Sequence, residues 1–387
     1  MALPLKYNIR NVFVRWRATI ATIFGIALVV AVFVMVQAMA VGIEKSSSNT
    51  GDPRNMLVVR QGSTAESASQ VTRPQLKLIQ FLPEIARDAR GQPLISADVL
   101  VLINLPRRNQ SGEANVLVRG VSPRGLELRP QVALVSGRWF EAGKREIVVS
   151  RRLAARFANF DIGQTFKTAG QELRVVGWID GHKSAFDSEV WMDADECRSL
   201  FDRDHYSSVL VRLAGEGAGP ALIKSIEGNK QLPLIVSPEV KYYASQTMTA
   251  LPIRILAGFL ATTMSIGAIF AAMNTMYASV GARTREIGTL RVLGYRRRAI
   301  LMSFLLEGAF LSALGGILGC IFAFPMNGYA VGTMGFETFS EIVFEFRITP
   351  ALVAKGIAFA VIVGLIGSFL PAVRASRLPV IAALKSL

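Results

Sequence analysis

The chain has 387 residues, 51% of them hydrophobic, with 43 Lys and Arg against 28 Asp and Glu and a formal net charge of +15. An apolar chain this rich in bases fits a membrane protein with basic flanks better than a soluble domain. Its positive charge flanks apolar runs instead of gathering on a soluble face, which argues against nucleic-acid binding.

Residues 1–18 carry Lys6, Arg10, Arg15 and Arg17 and no acid. Leu5, Ile9, Val12, Phe13 and Trp16 recur near helical spacing between those bases, which predicts an amphipathic helix lying on membrane lipid at the cytoplasmic surface. Residues 19–41 form a first span, since a helix needs ~20 apolar residues to cross the hydrocarbon core. Ala38-Met39-Ala40 looks like a signal-peptidase site. The apolar run exceeds the ~7–15 residues of a signal peptide, so the span is expected to be retained.

Residues 42–250 have ordinary globular composition and open with a Ser-rich linker at 45–52. Short apolar and β-branched runs predict strands at 55–60, 99–105, 114–120, 146–150, 171–177, 207–213 and 232–236. Helices are expected from Thr72, a capping residue with Pro74 in the first turn, and at 151–157 and 220–228. The mixture predicts an α+β domain inserted between the first two spans.

Three more spans follow at 251–280, 300–332 and 351–373, making four transmembrane helices. Residues 281–299, between the second and third, contain Arg283, Arg285, Arg291, Arg296, Arg297 and Arg298 against the single acid Glu286. The third run is long for one span, and Pro325 and Asn327 are candidates to kink or end it. The connection at 333–350 is acidic (Glu337, Glu341 and Glu345 against Arg347), whereas the tail at 374–387 carries Arg374, Arg377 and Lys385. By the positive-inside rule both termini and 281–299 are cytoplasmic, and 42–250 and 333–350 are extracytoplasmic.

Few residues suggest chemistry. The Gly-rich stretch 215–225 lacks the Gly-Lys-Ser/Thr ending of a phosphate-cradling loop, and His182 and His205, the only histidines, have no metal-ligand spacing. No catalytic, metal or cofactor site is expected in this chain, and His182 reads as an exposed loop residue. Cys197 and Cys320, the second inside a span, predict no disulfide. Glu307 lies about two turns into the third span, where an ionised side chain needs a partner, and Arg297 or Arg298 is the expected one. Small residues permit close helix contact: Gly315, Gly316 and Gly319 are read as intrachain packing, and Gly267, Ala268, Ala271 and Ala272 as a dimer-interface candidate.

Several phrases resemble the MacB/FtsX-like permease subunits of type VII, or mechanotransmission, ABC transporters. They are Arg15-Trp16-Arg17 before the first span, Arg283-Thr284-Arg285-Glu286-Ile287-Gly288 with Leu293-Gly294 after the second, Glu307-Gly308 in the third, and Pro371 to Pro379 after the fourth. Val118 to Val121, Ser136 to Phe140 and Glu146 to Ser150 are similar to that family's extracytoplasmic domain. The resemblance implies a porter-like part at about 52–120 and 205–248, with a subdomain inserted at about 121–204. It also implies a homodimer in the bacterial inner membrane and a coupling helix docking on a separate cytoplasmic ABC ATPase that binds ATP and Mg. Arg283, Arg285, Glu286, Ile287, Leu290, Leu293 and Gly294 would make that contact, with Ile287, Leu290 and Leu293 forming one apolar face ended by Gly294. A periplasmic adaptor and an outer-membrane channel are implied for efflux. A lipoprotein-releasing permease and an FtsX-like regulator of cell-wall hydrolases are the alternatives.

Overall fold

The computed structural model describes residues 16–108, 112–246, 250–334 and 341–379. The surface helix expected at 1–18 falls almost wholly outside them, as do Glu337 and Lys385. In chain order the elements begin with α1 (Trp16–Ser48), β1 (Asn55–Arg60), α2 (Arg73–Gln80), β2 (Ile95–Pro106), β3 (Glu113–Val121), α3 (Pro123–Leu128), β4 (Ala133–Gly137) and β5 (Glu146–Ser150). Next come α4 (Arg151–Ala154), β6 (Thr165–Thr168), β7 (Gln171–Asp180), β8 (Glu189–Asp193), α5 (Ala194–Leu200), β9 (Ser208–Arg212), α6 (Ala218–Glu227), β10 (Leu234–Pro238) and α7 (Glu239–Ser245). The chain ends with α8 (Ala250–Ala282), α9 (Thr284–Val292), α10 (Arg297–Ala323), β11 (Ala330–Met334), β12 (Glu341–Glu345) and α11 (Pro350–Ser376). They form two compact units: one from Met1–Val41, Pro252–Tyr329 and Phe346–Leu387, the other from Gly42–Leu251 and Ala330–Glu345.

The helical unit contains the four described helices long and apolar enough to cross a membrane, at Thr19–Ser48, Gly258–Ala282, Arg297–Met326 and Pro350–Ser376. Packing between them is set by missing side chains. A Cβ on Gly316 would lie 2.8 Å from that of Ala360, and one on Gly364 would run into Ser312. Gly315 and Gly319 press on Ile26, Ala27 and Val30 of α1. The small residues of α10 thus bring both α1 and α11 to backbone distance, where dispersion and weak polar contacts substitute for a hydrophobic effect that lipid cannot provide. Met276, Val280, Ile300, Phe304, Ala372 and Ala375 close the end of the unit that carries α9.

The third span ends earlier than its apolar run. Helix α10 stops at Ala323, and Phe324–Met326 form a single 3₁₀ turn, because Pro325 has no N–H with which to continue the ladder. The chain then enters an antiparallel hairpin, β11 with β12, where a loop was expected. Thr349 caps α11 by accepting from the Leu352 N–H at 3.2 Å, with Pro350 in the first turn.

The other unit is built on one mixed sheet with strand order β10-β1-β9-β2-β3-β8-β5-β7-β4, and β6 paired to β7. Strand β2 joins its halves: Ile95 to Asp98 pair with β9, whereas Val99 to Pro106 pair with β3. The parts expected at 52–120 with 205–248 and at 121–204 share a continuous sheet, in which β3 pairs with both β2 and β8. One core packs Met56, Val58, Val209, Val211, Leu222 and Ile226; another packs Ile103, Val118, Ile147, Phe157, Leu173 and Val190. Helix α2 begins with a reciprocal capping box between Thr72 and Gln75.

Between these cores lies a dry cluster of charges. The Arg119 guanidinium donates to both oxygens of Glu189, at 2.7 and 2.8 Å, and reaches Glu66 at 3.1 Å and Asp98 at 3.3 Å. Arg129 pairs with Asp98 and lies over the rings of Phe186 and Trp191 at 5.5 and 5.8 Å. Burial pushes the Glu66 carboxyl up, but the charge and hydrogen bonds of Arg119 outweigh it and hold the group below its ordinary value. Replacing Arg119 by Met leaves Glu66, Asp98 and Glu189 facing one another in a dry interior, at a cost of about 3–5 kcal/mol. Limited proteolysis of the full chain is expected to cut Arg119→Met within 42–251 under conditions that spare the wild type; equal resistance would refute the cluster's structural weight.

Candidate functional site

The basic segment after α8 is held in place by its own first residue. Arg283 leaves helical geometry (φ −109°, ψ 13°), which separates α8 from α9. Its side chain is buried: Nη1 donates to Glu307 Oε2 at 2.9 Å, Nε reaches Glu286 Oε2 at 3.4 Å, and the guanidinium lies 5.2 Å from the Phe304 ring centre. The partner of Glu307 is thus Arg283, not Arg297 or Arg298. Those two lie in the first turn of α10, exposed, whereas Arg283 approaches Glu307 from the side on which α9 packs. A carboxylate 6% exposed among apolar side chains is retained because a guanidinium supplies both charge and hydrogen bond.

One turn further, Ile287 is 2% exposed and packs with Met276, Val280, Ile300 and Phe304, while Gly288 is also buried. Leu290 is half-buried and lines a small pocket with Arg283, Glu286, Ile287, Ile300, Ser303 and Phe304. Leu293 is 68% exposed and Val292 60%. The apolar face expected from Ile287, Leu290 and Leu293 is therefore divided: Ile287 anchors α9 inward, and the outward apolar pair is Val292 with Leu293. Val292 was not legible from the three-residue spacing, because α9 ends there and the chain rotates out of helical register. Gly294 makes that exit with φ +89°, a conformation that favours glycine. The Tyr295 N–H closes the turn on the Leu290 carbonyl at 3.1 Å, and Arg291 Nη1 donates to the Tyr295 carbonyl at 3.3 Å. Arg285 and Glu286 in the first turn of α9, and Arg296, Arg297 and Arg298 just after the pair in sequence, are all exposed. The result is a short anchored element ending in an exposed apolar pair, with exposed arginines flanking it in sequence.

The four small residues of α8 also divide. Ala268 packs with Val29 and Val363, and a Cβ added to Gly367 would lie 2.9 Å from that of Ala272, so both alanines serve packing within the chain. Only Gly267 and Ala271 remain on the exposed side. Among the described residues no group of His, Cys, Asp and Glu is placed to hold a metal ion.

Two family models cover the chain: the MacB-like periplasmic core domain matches residues 18–228, and the FtsX-like permease C-terminal domain matches residues 258–380. Fold and matches together define an ABC transporter permease. The chain belongs to the MacB/FtsX-like permease family. It is 26% identical over 303 residues to the ABC transporter permease YknZ of Bacillus subtilis, covering 73% of each chain. It is also 23% identical over 391 residues to the macrolide export ATP-binding/permease protein MacB of Acinetobacter baylyi, covering 95% of this chain and 57% of that one. The chain spans about half the length of the macrolide-export relatives it matches. Among solved structures, the extracellular domain of YknZ from Gram-positive bacteria matches with TM-score 0.35 and 15% identity over 47% of this chain and 99% of that one. The periplasmic region of MacB from Actinobacillus actinomycetemcomitans matches with TM-score 0.37 and 13% identity over 49% and 91%.

The buried pair makes a directional prediction. Glu307→Ala removes the shorter of the two carboxylate contacts of buried Arg283, leaving Glu286 at 3.4 Å, and is expected to cost about 2 kcal/mol, whereas Arg283→Met with Glu307→Met removes both charges and recovers most of the loss. Thermal unfolding in detergent reads both variants. A double variant no more stable than Glu307→Ala would show that the pair is not the anchoring interaction.

Proposed function

We propose that this chain is the permease of a mechanically coupled ABC transporter in the bacterial inner membrane, with both termini cytoplasmic and α9 docking on a cytoplasmic ABC ATPase. The single observation that carries the reading is the exposed Val292–Leu293 tip on an element locked inward by Arg283 and Ile287. A tip of this kind seats in an apolar pocket while the arginines flanking it in sequence meet acidic groups, the usual arrangement of an interface anchor. Load applied there passes through the Arg283–Glu307 pair into α10 and directly along the chain into α8.

ATP and Mg belong to the ATPase in this reading, and the permease contributes two-state movement. Two copies would present two such tips. The exposed Gly267 and Ala271 of α8, together with Ile255, Phe259, Ile266 and Phe270, offer the helix face on which they would meet. Efflux through a periplasmic adaptor and an outer-membrane channel is the preferred output, supported by the relatives named for macrolide export.

Leu293→Glu changes an exposed residue, so the fold should survive while docking is lost. Loss of an anchor worth about 2 kcal/mol lowers affinity for the ATPase roughly 30-fold. Co-purification of the ATPase with wild-type and Leu293→Glu chains measures this directly; full recovery with the variant would sink the docking claim. Periplasmic pull-down then separates efflux, which returns an adaptor, from lipoprotein release, which returns a lipoprotein carrier.

A further inference from the structure

The polar stretch Asp180-Gly181-His182-Lys183-Ser184-Ala185-Phe186-Asp187-Ser188 reads as a plain loop, yet its geometry is tightly specified. His182 and Lys183 are consecutive non-glycine residues in the left-handed region, with φ +52° and +64°, which local sequence alone does not favour. Buried Asp187 holds them there by accepting from the backbone N–H groups of Gly181 at 2.7 Å and Lys183 at 2.9 Å. Asp180 accepts from the His182 N–H at 2.7 Å, and His182 Nδ1 lies 2.8 Å from the Gln131 carbonyl. The outcome is to aim Lys183 at one target.

That target is Glu345, the last residue of β12. Its carboxylate is held between Lys183 Nζ at 2.7 Å and Arg152 Nη2 at 2.6 Å. Arg152 is itself fixed by Asp187 at 3.3 Å. The Ser188 hydroxyl accepts from the Val343 N–H at 2.7 Å, and Val343 and Phe344 are each 2% exposed. On the opposite side the Ala185 N–H donates to Thr50 Oγ1 at 2.8 Å, just past the end of α1, and a side chain at Gly42 would collide with the Glu345 carbonyl. Burial would raise the Glu345 carboxyl, but hydrogen bonds from Lys183 and the charge of Arg152 hold it below its ordinary value.

We infer that the 181–188 turn is a fastening that clasps the hairpin joining the third and fourth spans, with Glu345 as its bolt, so that displacement of the α10 and α11 ends is delivered into the sheet. The inference rests on the transport reading above and deepens it. Strand β12 is gripped through its backbone by Ser188 and through its side chain by Lys183 and Arg152, and β11 is held to it by the ladder. The turn also grips the segment leaving the first span, so three of the four spans connect through one short loop.

The test uses the full chain in detergent and reads backbone hydrogen exchange across Ala330–Met334 and Glu341–Glu345. Glu345→Lys is expected to speed exchange there roughly ten-fold while β1 and β9 stay protected. Glu345→Gln should act less, and Lys183→Met least, because Lys183 is the more exposed partner. Unchanged hairpin exchange in Glu345→Lys overturns the fastening, and the two milder variants carry the same test if that one fails to fold. No ATPase enters this measurement, so its outcome is independent of docking. Transmission is then read in the assembled complex as the permease-dependent change in ATP hydrolysis. A loosened hairpin with that change abolished supports the inference, and a loosened hairpin with the change intact overturns its transmission half. Failure of the wild-type chain to bind an ATPase would sink the transport reading and leave the fastening standing.

Discussion

The buried Arg283–Glu307 pair decides what the basic segment between the second and third spans is. A stretch with six arginines and one glutamate, left alone, would spread along lipid headgroups as a mobile loop. One of the six instead turns inward, and its charge is neutralised inside the helical unit by a glutamate 24 residues further on. At 2.9 Å the gross Coulomb attraction is about 6 kcal/mol at an effective dielectric near 20, and most of it repays the removal of both groups from water. The net stabilisation is therefore modest, but the geometry is specific. With Ile287 packed one turn later, α9 is held against the end of α8 and the start of α10 by both charge and apolar contact.

A second buried arginine does comparable work in the α/β unit. Arg119 reaches carboxylates from three parts of the sequence, and Glu66 accepts further hydrogen bonds from the Ser208 and Tyr243 hydroxyls at 2.7 and 2.9 Å. Hydrophobic contacts in the flanking cores tolerate small slips, because dispersion is non-directional. A guanidinium fork against two carboxylates does not tolerate them. Glu239, at the start of α7, joins the same neighbourhood by accepting from the Asp52 N–H and the Asn55 side chain, each at 2.8 Å. The residues just after α1 and those leading toward α8 thus meet on one polar node, and the sheet beside it is stiff where the chain enters and leaves.

Much of this was legible in the sequence where the cause is local. Strands at 55–60 and 146–150 announce themselves as short β-branched runs between polar residues, and Thr72 with Pro74 marks its own helix start. What could not be read depends on partners far along the chain. Strand β8 begins with Glu189 and ends with Asp193, a poor strand signature until Arg119 is seen to neutralise the first. Strands β11 and β12 are hidden in the sequence because the glutamates between the third and fourth spans signal an outside loop, and only the ion-pair partners Arg152 and Lys183 reveal why Glu345 sits in a strand. Glu307 was assigned to the nearest arginines, since spacing cannot show that Arg283 crosses from another element. Small residues in α8 showed that some helix comes close, but not which one.

The spans are not equally committed to one another. Helices α10 and α11 interlock through Gly308 with Ser368, Gly364 with Ser312 and Gly316 with Ala360, and α1 lies on Gly315 and Gly319. Sliding any of these three by a residue would drive a Cβ into backbone, so they respond to load as a block. Helix α8 is attached more sparsely, by Ala272 on Gly367, Ala268 with Val29 and Val363, and the Thr22–Thr275 hydroxyl pair at 2.8 Å. Its remaining face exposes Ile255, Leu256, Phe259, Ile266 and Phe270. Among the described residues α8 is the least buried of the four spans, and it is the one followed, after the break at Arg283, by α9. Movement at the basic tip is cheapest along α8, and Arg283–Glu307 is where that loosely held helix is pinned to the rigid three.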